Sequence, residues 1–259
     1  VMRGVYVVYS LFVGVLITPP QVTIDWPALA QKPYADAKIP ELGLKPILDK
    51  QIDAEGWPAR RKELADAWQA KLGPFPKKPA QLDVKIESSE KLDGYTRQRL
   101  TFLSAEGDRL HAYLLIPDGI KPGEKRPAVV VFHQTTKDTL KEPVGLGAKP
   151  HLALGLHLVQ RGYVVLSPEC YIMKGIGPKA QAIEVGKQWP GLTGLGKMTF
   201  DAIRCVDFLV SLSFVDALRI GCIGFSLGAK EVLFAMAFEP RYQCGVFNEG
   251  GIGLRMSNW

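Results

Sequence analysis

The stretch Arg219-Ile220-Gly221-Cys222-Ile223-Gly224-Phe225-Ser226-Leu227-Gly228-Ala229-Lys230-Glu231-Val232-Leu233-Phe234 decides the fold. An apolar run of strand composition, Ile220 to Ile223, leads straight into Gly-x-Ser-x-Gly, and an apolar helical run from Leu227 to Phe238 leads straight out. In a chain with 26 glycines the five-residue pattern alone carries little weight. Strand, tight turn and helix together describe something more specific: a serine held in a strained turn at the end of a sheet strand, its hydroxyl above the sheet edge. Glycines on either side leave room where a Cβ would clash. The start of the helix offers N–H groups without acceptors and a positive dipole end, which suit a developing oxyanion. Ser226 is therefore the candidate nucleophile. The competing reading is a tight glycine turn around a buried serine.

Outward from this turn the chain alternates strands and helices. Upstream, Ala128 to Phe132 and Tyr163 to Leu166 are continuous apolar runs, with a helix predicted over Leu152 to Gln160 between them and another over Thr199 to Leu212. Downstream, Cys244 to Phe247 is a last strand. Uniformly apolar strands separated by helices predict a mostly parallel sheet covered on both faces. Before them, Leu82 to Glu87, Tyr95 to Leu103 and Leu110 to Ile116 alternate apolar and polar residues, with Glu106-Gly107-Asp108 as a turn, and predict antiparallel strands. Cys170 to Leu195 is rich in Gly, Pro and Lys and reads as a long loop. It follows the carboxyl end of a parallel strand, where binding crevices form, so it is expected to shape substrate access.

The first 80 residues differ. Met2-Arg3 precedes an apolar run from Val5 to Ile17, ended by Thr18-Pro19-Pro20. A short basic start and a run of this length read as a signal peptide over residues 1–20, too short for a comfortable membrane span. The protein is thus expected to be exported, with no stable membrane partner after cleavage. Residues 21–80 read as a helical extension: Pro58 suits a first turn, Leu64, Trp68 and Leu72 share a face, and Gly73-Pro74 stops the helix. Residues 81–259 form the main domain. The charge is +6 on 259 residues, but the basic residues are scattered, and Arg60-Arg61-Lys62 and Lys77-Lys78 are the densest clusters. That is a solvated surface and not a nucleic-acid stripe. Four cysteines without CxxC spacing, two of them in predicted buried strands (Cys222 and Cys244), read as small core residues. No metal cluster, phosphate loop or dinucleotide fingerprint occurs, so no cofactor is implied.

The stretches Arg126 to Thr136, Arg161 to Glu169 and Phe214 to Tyr242 resemble the α/β-hydrolase superfamily, in particular bacterial serine esterases related to dienelactone hydrolases and acetyl xylan esterases. The resemblance implies that Ser226 attacks the acyl carbon of a carboxylic ester, with a small-molecule or carbohydrate ester, acetyl esters among them, as substrate. It implies one oxyanion donor from the Leu227 N–H and a second from the loop after Ala128–Phe132, where Gln134 or Thr135 is available and Gln134 is chosen. His133 ends a buried strand and is read as a packing residue. Glu249, after the last strand, is a candidate for the acid, with an ordinary turn residue as the bland alternative. Lys230 reads as a surface or ion-paired lysine.

One departure is plain. In this fold the acid and histidine follow the serine in chain order. All four histidines, His111, His133, His151 and His157, precede Ser226. The resemblance therefore implies a chain truncated after the fold's sixth strand, with its catalytic histidine beyond residue 259. Two alternatives stand beside the esterase. A prolyl-oligopeptidase-like peptidase shares the elbow but normally carries a propeller, which about 60 residues cannot form. A noncatalytic hydrolase-fold binding protein is the other.

Overall fold

In the computed structural model, residues 52–250 are described; the predicted signal segment at residues 1–20 lies outside them. Seven strands form one sheet: β1 (Lys85–Leu92), β2 (Tyr95–Ala105), β3 (Asp108–Pro117), β4 (Arg126–Phe132), β5 (Val164–Pro168), β6 (Val215–Phe225) and β7 (Tyr242–Asn248). Their order is β1-β2-β3-β5-β4-β6-β7. The sheet is mixed: β1, β2, β3 and β5 pair antiparallel in turn, while β5, β4, β6 and β7 run parallel. The count of six strands implied by the resemblance leaves out β1, an outer antiparallel strand. That strand sits later than Leu82–Glu87. Leu82 packs on the core beside the sheet, and its carbonyl accepts the Leu103 N–H at 2.6 Å. Ladder pairing begins only at Lys85 opposite Thr101.

The continuous apolar runs became the central strands because each face of those strands meets a helix layer. One face of the sheet (Val130, Phe132, Leu166, Cys222) packs on Ala202, Val206 and Phe208 of helix α4 (Gly194–Ser211) and on Val232 and Ala235 of helix α5 (Leu227–Phe238). Phe102 of β2 stacks on Phe208 with ring centroids 4.9 Å apart. The other face (Leu115, Val131, Val165) is covered by Val159 of helix α2 (Leu154–Val159) and by Leu140 and Val144.

Helix α1 (Trp57–Leu72) carries Pro58 in its first turn and is capped by Gly73, whose φ of 88° only glycine adopts readily. It lies on the outside of α4 and α5. Trp68 meets Phe234 edge to face at 5.3 Å, and Arg61 donates to the Ala237 carbonyl at 2.9 Å. The fit at its end is tight: a Cβ on Gly73 would stand 1.9 Å from the Gly191 carbonyl oxygen, and one on Gly196 2.3 Å from that of Leu72.

Residues 170–195 are not a plain loop. They contain a 3-10 turn at Tyr171–Met173, helix α3 (Pro178–Gln188) and the first two residues of α4. Pro178 starts α3 instead of breaking it, because a first-turn N–H has no helical acceptor to lose. Thr193 caps α4, its hydroxyl accepting the Gly196 N–H at 3.0 Å. Cys222 is buried as expected, but Cys244 is exposed on β7, whose residues after Tyr242 are all open to solvent in the described structure. No described helix is long and apolar enough to cross a membrane.

Candidate active site

Ser226 joins β6 to α5 with φ 54° and ψ −108°, a backbone conformation that costs an L-residue about 1–3 kcal/mol. The surrounding glycines are needed because the turn is packed backbone against backbone. A Cβ on Gly224 would lie 2.2 Å from the carbonyl of Gly228, and one on Gly228 2.2 Å from the carbonyl oxygen of Phe132. The Ser226 N–H donates to the Asn248 carbonyl at 3.0 Å, which ties the turn to the end of β7. Its own carbonyl accepts the Ala229 N–H at 3.1 Å and starts α5. At the first position of the helix, the Leu227 N–H has no acceptor within α5. The Leu227 side chain is buried with Cys170, Ile172 and Met198.

The loop after β4 lies against this turn, since Phe132 pairs with Gly224 across the parallel strands. His133 is almost fully buried. Its Nδ1 meets the Gln134 carbonyl at 2.7 Å, and its Nε2 accepts the Cys170 N–H at 3.0 Å. Burial pushes the imidazole pKa down to about 4, so the ring is neutral near pH 7. With Nε2 accepting, the ring proton is assigned to Nδ1. The Gln134 side chain turns away to Glu142, 3.2 Å from Nε2 to Oε1. Glu249 follows β7 with φ 53° and is exposed. The structure thus brings together the Ser226–Leu227 turn, the 133–134 loop and the 248–249 turn.

Sequence reading missed what lies beneath the 170–195 insertion. Lys197, fully buried on α4, sits 2.6 Å from Asp201 Oδ2 and 2.9 Å from Asp108 Oδ2, and Ser104 donates to Asp201. Tyr171 and Trp189, from the two ends of the insertion, place their rings over the same ammonium at 4.7 and 5.2 Å. Burial works against the lysine's charge, but the two carboxylates outweigh it and hold its pKa above the usual value. Glu231 of α5 is buried nearby. Desolvation raises its carboxyl to about 8, the Cys170 thiol hydrogen-bonds it, and Oε1 has no partner. The helix predicted over Thr199–Leu212 contains Asp201 but not Lys197; the helix in fact starts at Gly194 and puts the two four residues apart, a spacing that an exposed pair would share. Among the described residues, no group of three or more His, Cys, Asp or Glu could hold a metal ion.

The profile of the dienelactone hydrolase family matches residues 110–245, more than half of the 259-residue chain. The chain belongs to the dienelactone hydrolase family. Among solved structures, a glucuronoyl esterase of Solibacter usitatus superposes with a TM-score of 0.63 at 22% identity, covering 83% of this chain and 65% of that one. A provisionally assigned acetyl xylan esterase of Bacteroides fragilis gives 0.63 at 16% identity, covering 76% and 55%. Both show the α/β-hydrolase fold of this dienelactone hydrolase family member. Among curated relatives, dipeptidyl peptidase family member 6 of Caenorhabditis elegans is 28% identical over 145 residues, 54% of this chain. The chain spans 17% of that relative's length.

Proposed function

We propose that this chain is a serine hydrolase of carboxylic esters, with Ser226 as the nucleophile. The observation that carries the reading is the backbone of Ser226, at φ 54° and ψ −108° between a parallel strand and a helix, with glycines on both sides that admit no Cβ. Such strain is kept where a side chain must be presented in one direction. Membership of the dienelactone hydrolase family supports the same reading.

In this reading Ser226 Oγ attacks the acyl carbon and loses its proton to a base. The oxyanion accepts the Leu227 N–H and a second N–H from the loop after β4 (Gln134 by resemblance). The alcohol leaves, and water then releases the acid from Ser226. His133 is not the base, because both of its nitrogens are engaged. Glu249 is the candidate acid within the described residues. The 170–195 segment forms one wall of the access path, and the protein is exported with residues 1–20 as its signal peptide; of the extension expected over residues 21–80, residues 21–51 lie outside the described residues. The substrate is a small-acyl or carbohydrate ester, in line with structural neighbours named for acetyl xylan and glucuronoyl esters.

The peptidase reading draws on the shared elbow pattern and on the name of the nematode relative. One experiment separates the readings. A fluorophosphonate probe is applied to the whole gene product, and the labelled residue is mapped. Hydrolysis of 4-nitrophenyl acetate, acetylated xylan, a methyl glucuronate ester and a Gly-Pro anilide is then compared. Labelling of Ser226 with ester turnover, both lost in Ser226→Ala, is expected. No reaction at Ser226 sinks the enzyme reading, and anilide turnover without ester turnover moves it to a peptidase.

A further inference from the structure

The 170–195 insertion touches the elbow directly. Cys170 and Ile172 are buried with Leu227, the residue after Ser226, and Met173 and Ala182 pack against the same cluster. The base of the insertion is tied differently. Tyr171 and Trp189 come from its two ends, yet their rings meet edge to face at 5.6 Å, and the Tyr171 hydroxyl donates to Gln188 Oε1 at 3.0 Å. Both rings face the ammonium of the fully buried Lys197, at 4.7 and 5.2 Å. That ammonium is fixed in turn by Asp201 at 2.6 Å and Asp108 at 2.9 Å. Lys174 adds a second tie, 4.5 Å from the centre of the Tyr171 ring and 3.7 Å from Asp108 Oδ1. A cation attracts a ring face most strongly when both are out of water. The chain from 172 to 188 therefore leaves and returns at one buried point on α4.

We propose that Lys197 is a positioning residue for the substrate site: its ammonium pins the two ends of segment 172–188 together and docks the segment, as one unit, against Leu227 as the wall that holds the ester. The wall rests on the ester-hydrolase reading above, whereas the pin does not. Lys197 acts through Tyr171 and Trp189 and moves no proton in the reaction. Loss of the pin therefore weakens ester binding and spares the acyl-transfer steps.

The cysteines report docking without reference to activity. Cys244 is exposed, Cys170 is buried at the base of the insertion, and Cys205 and Cys222 are buried in the main core. The whole gene product carrying Cys244→Ser is treated with N-ethylmaleimide, and each cysteine is followed by peptide mapping. Trp189→Leu leaves every charged partner in place and should speed labelling of Cys170 about tenfold or more, with Cys205 and Cys222 as slow as before. Trp189→Phe keeps a ring face and should stay within about threefold of the parent. Lys197→Leu combined with Asp201→Leu should release Cys170 as well, and Trp189→Leu added to that pair should change the rate less than about twofold, because the shared pin is already gone. In Trp189→Leu, KM for 4-nitrophenyl acetate should rise about fivefold or more at nearly constant kcat. Cys170 labelling at the parent rate, or rising only together with Cys205 and Cys222, overturns the pin. So do equal rates for leucine and phenylalanine at 189, or fully additive effects of the Trp189 and Lys197 changes. If the Lys197 pair does not fold, the contrast at 189 decides. A fall in kcat at constant KM overturns the wall. If the unaltered protein fails to label with fluorophosphonate at Ser226, the ester-hydrolase reading has failed and the wall falls with it, while the Cys170 rates still decide the pin.

Discussion

The elbow and the charged cluster under the insertion lie at the same end of the sheet and are built in opposite ways. The elbow closes β6 at its carboxyl end. Asp108 starts β3, which runs antiparallel to β5 with Ala112 opposite Pro168, so it lies beyond the carboxyl end of β5. The elbow gets its shape from missing side chains: Gly224 and Gly228 let backbone meet backbone. The cluster gets its shape from side chains that are costly to bury, one lysine held by two carboxylates and roofed by two aromatic rings. A turn made of close backbone approaches fails by overpacking. A cluster made of buried charge fails by losing a partner.

Substitutions can break that contrast. Gly228→Val should have the largest effect, more than about 4 kcal/mol of lost stability or no folded protein, because its Cβ would meet the Phe132 carbonyl and nothing there is a flexible side chain. Urea denaturation checks this, and a loss under about 1 kcal/mol would mean the strand and helix can separate. Lys197→Met should cost about 3 kcal/mol or more, because Asp108 and Asp201 would be left buried without their cation. The loss should shrink when Asp201 is also made apolar. A single variant as stable as the parent would show that the carboxylates are not charged.

Glu231 belongs to both regions. It is on the elbow helix, but its carboxyl is buried beside Cys170 and feels Asp201. Unfolded, the carboxyl ionises near its ordinary value of 4.5, and folded, burial raises it to about 8. Between those values the folded state holds a proton that the unfolded state has released. Stability from this group is complete below about pH 4.5 and is lost as pH rises through 8. Glutamine does not titrate. Glu231→Gln should therefore lose less stability than the parent between pH 5 and 8.5, by on the order of 3–4 kcal/mol in urea denaturation followed against pH. Parallel curves for the two proteins would mean that Glu231 is solvated when folded.

The contrast also explains what could be read from sequence. The elbow was legible because its determinants are five consecutive residues between a strand run and a helix run, and each constraint is local. The parallel strands were legible because burial on both faces makes them apolar throughout. The cluster was not legible, because Ser104, Asp108, Tyr171, Trp189, Lys197 and Asp201 come from separate segments. Only the sheet register brings them together. Helix α3 was hidden by Gly177, Pro178 and Gly186, residues that signal turns when no cap position is known. Cys244 was misjudged because β7 has the composition of a buried strand, yet its residues after Tyr242 are open to solvent in the described structure. The turn of the Gln134 carbonyl onto the His133 ring depends on a single peptide plane, and composition and periodicity carry no trace of it.

The smallest expected effect tests the strain itself, independent of any activity. Ser226 holds φ 54° and ψ −108°, which glycine adopts at little steric cost and alanine does not. Ser226→Ala keeps the strain and removes only the hydroxyl. Ser226→Gly removes the strain but adds the entropy of an unfolded glycine, about 0.5–1 kcal/mol. If the turn stores about 1–3 kcal/mol, the glycine variant should be more stable than the alanine variant by about 1 kcal/mol, read as a higher urea midpoint at equal slope. Both variants lack the nucleophile of the ester-hydrolase reading, so the difference between them reports backbone alone. Equal midpoints, or alanine above glycine, would show that the turn is not strained. The positive φ at position 226 would then give no reason to single out its serine over any other residue at the end of a strand.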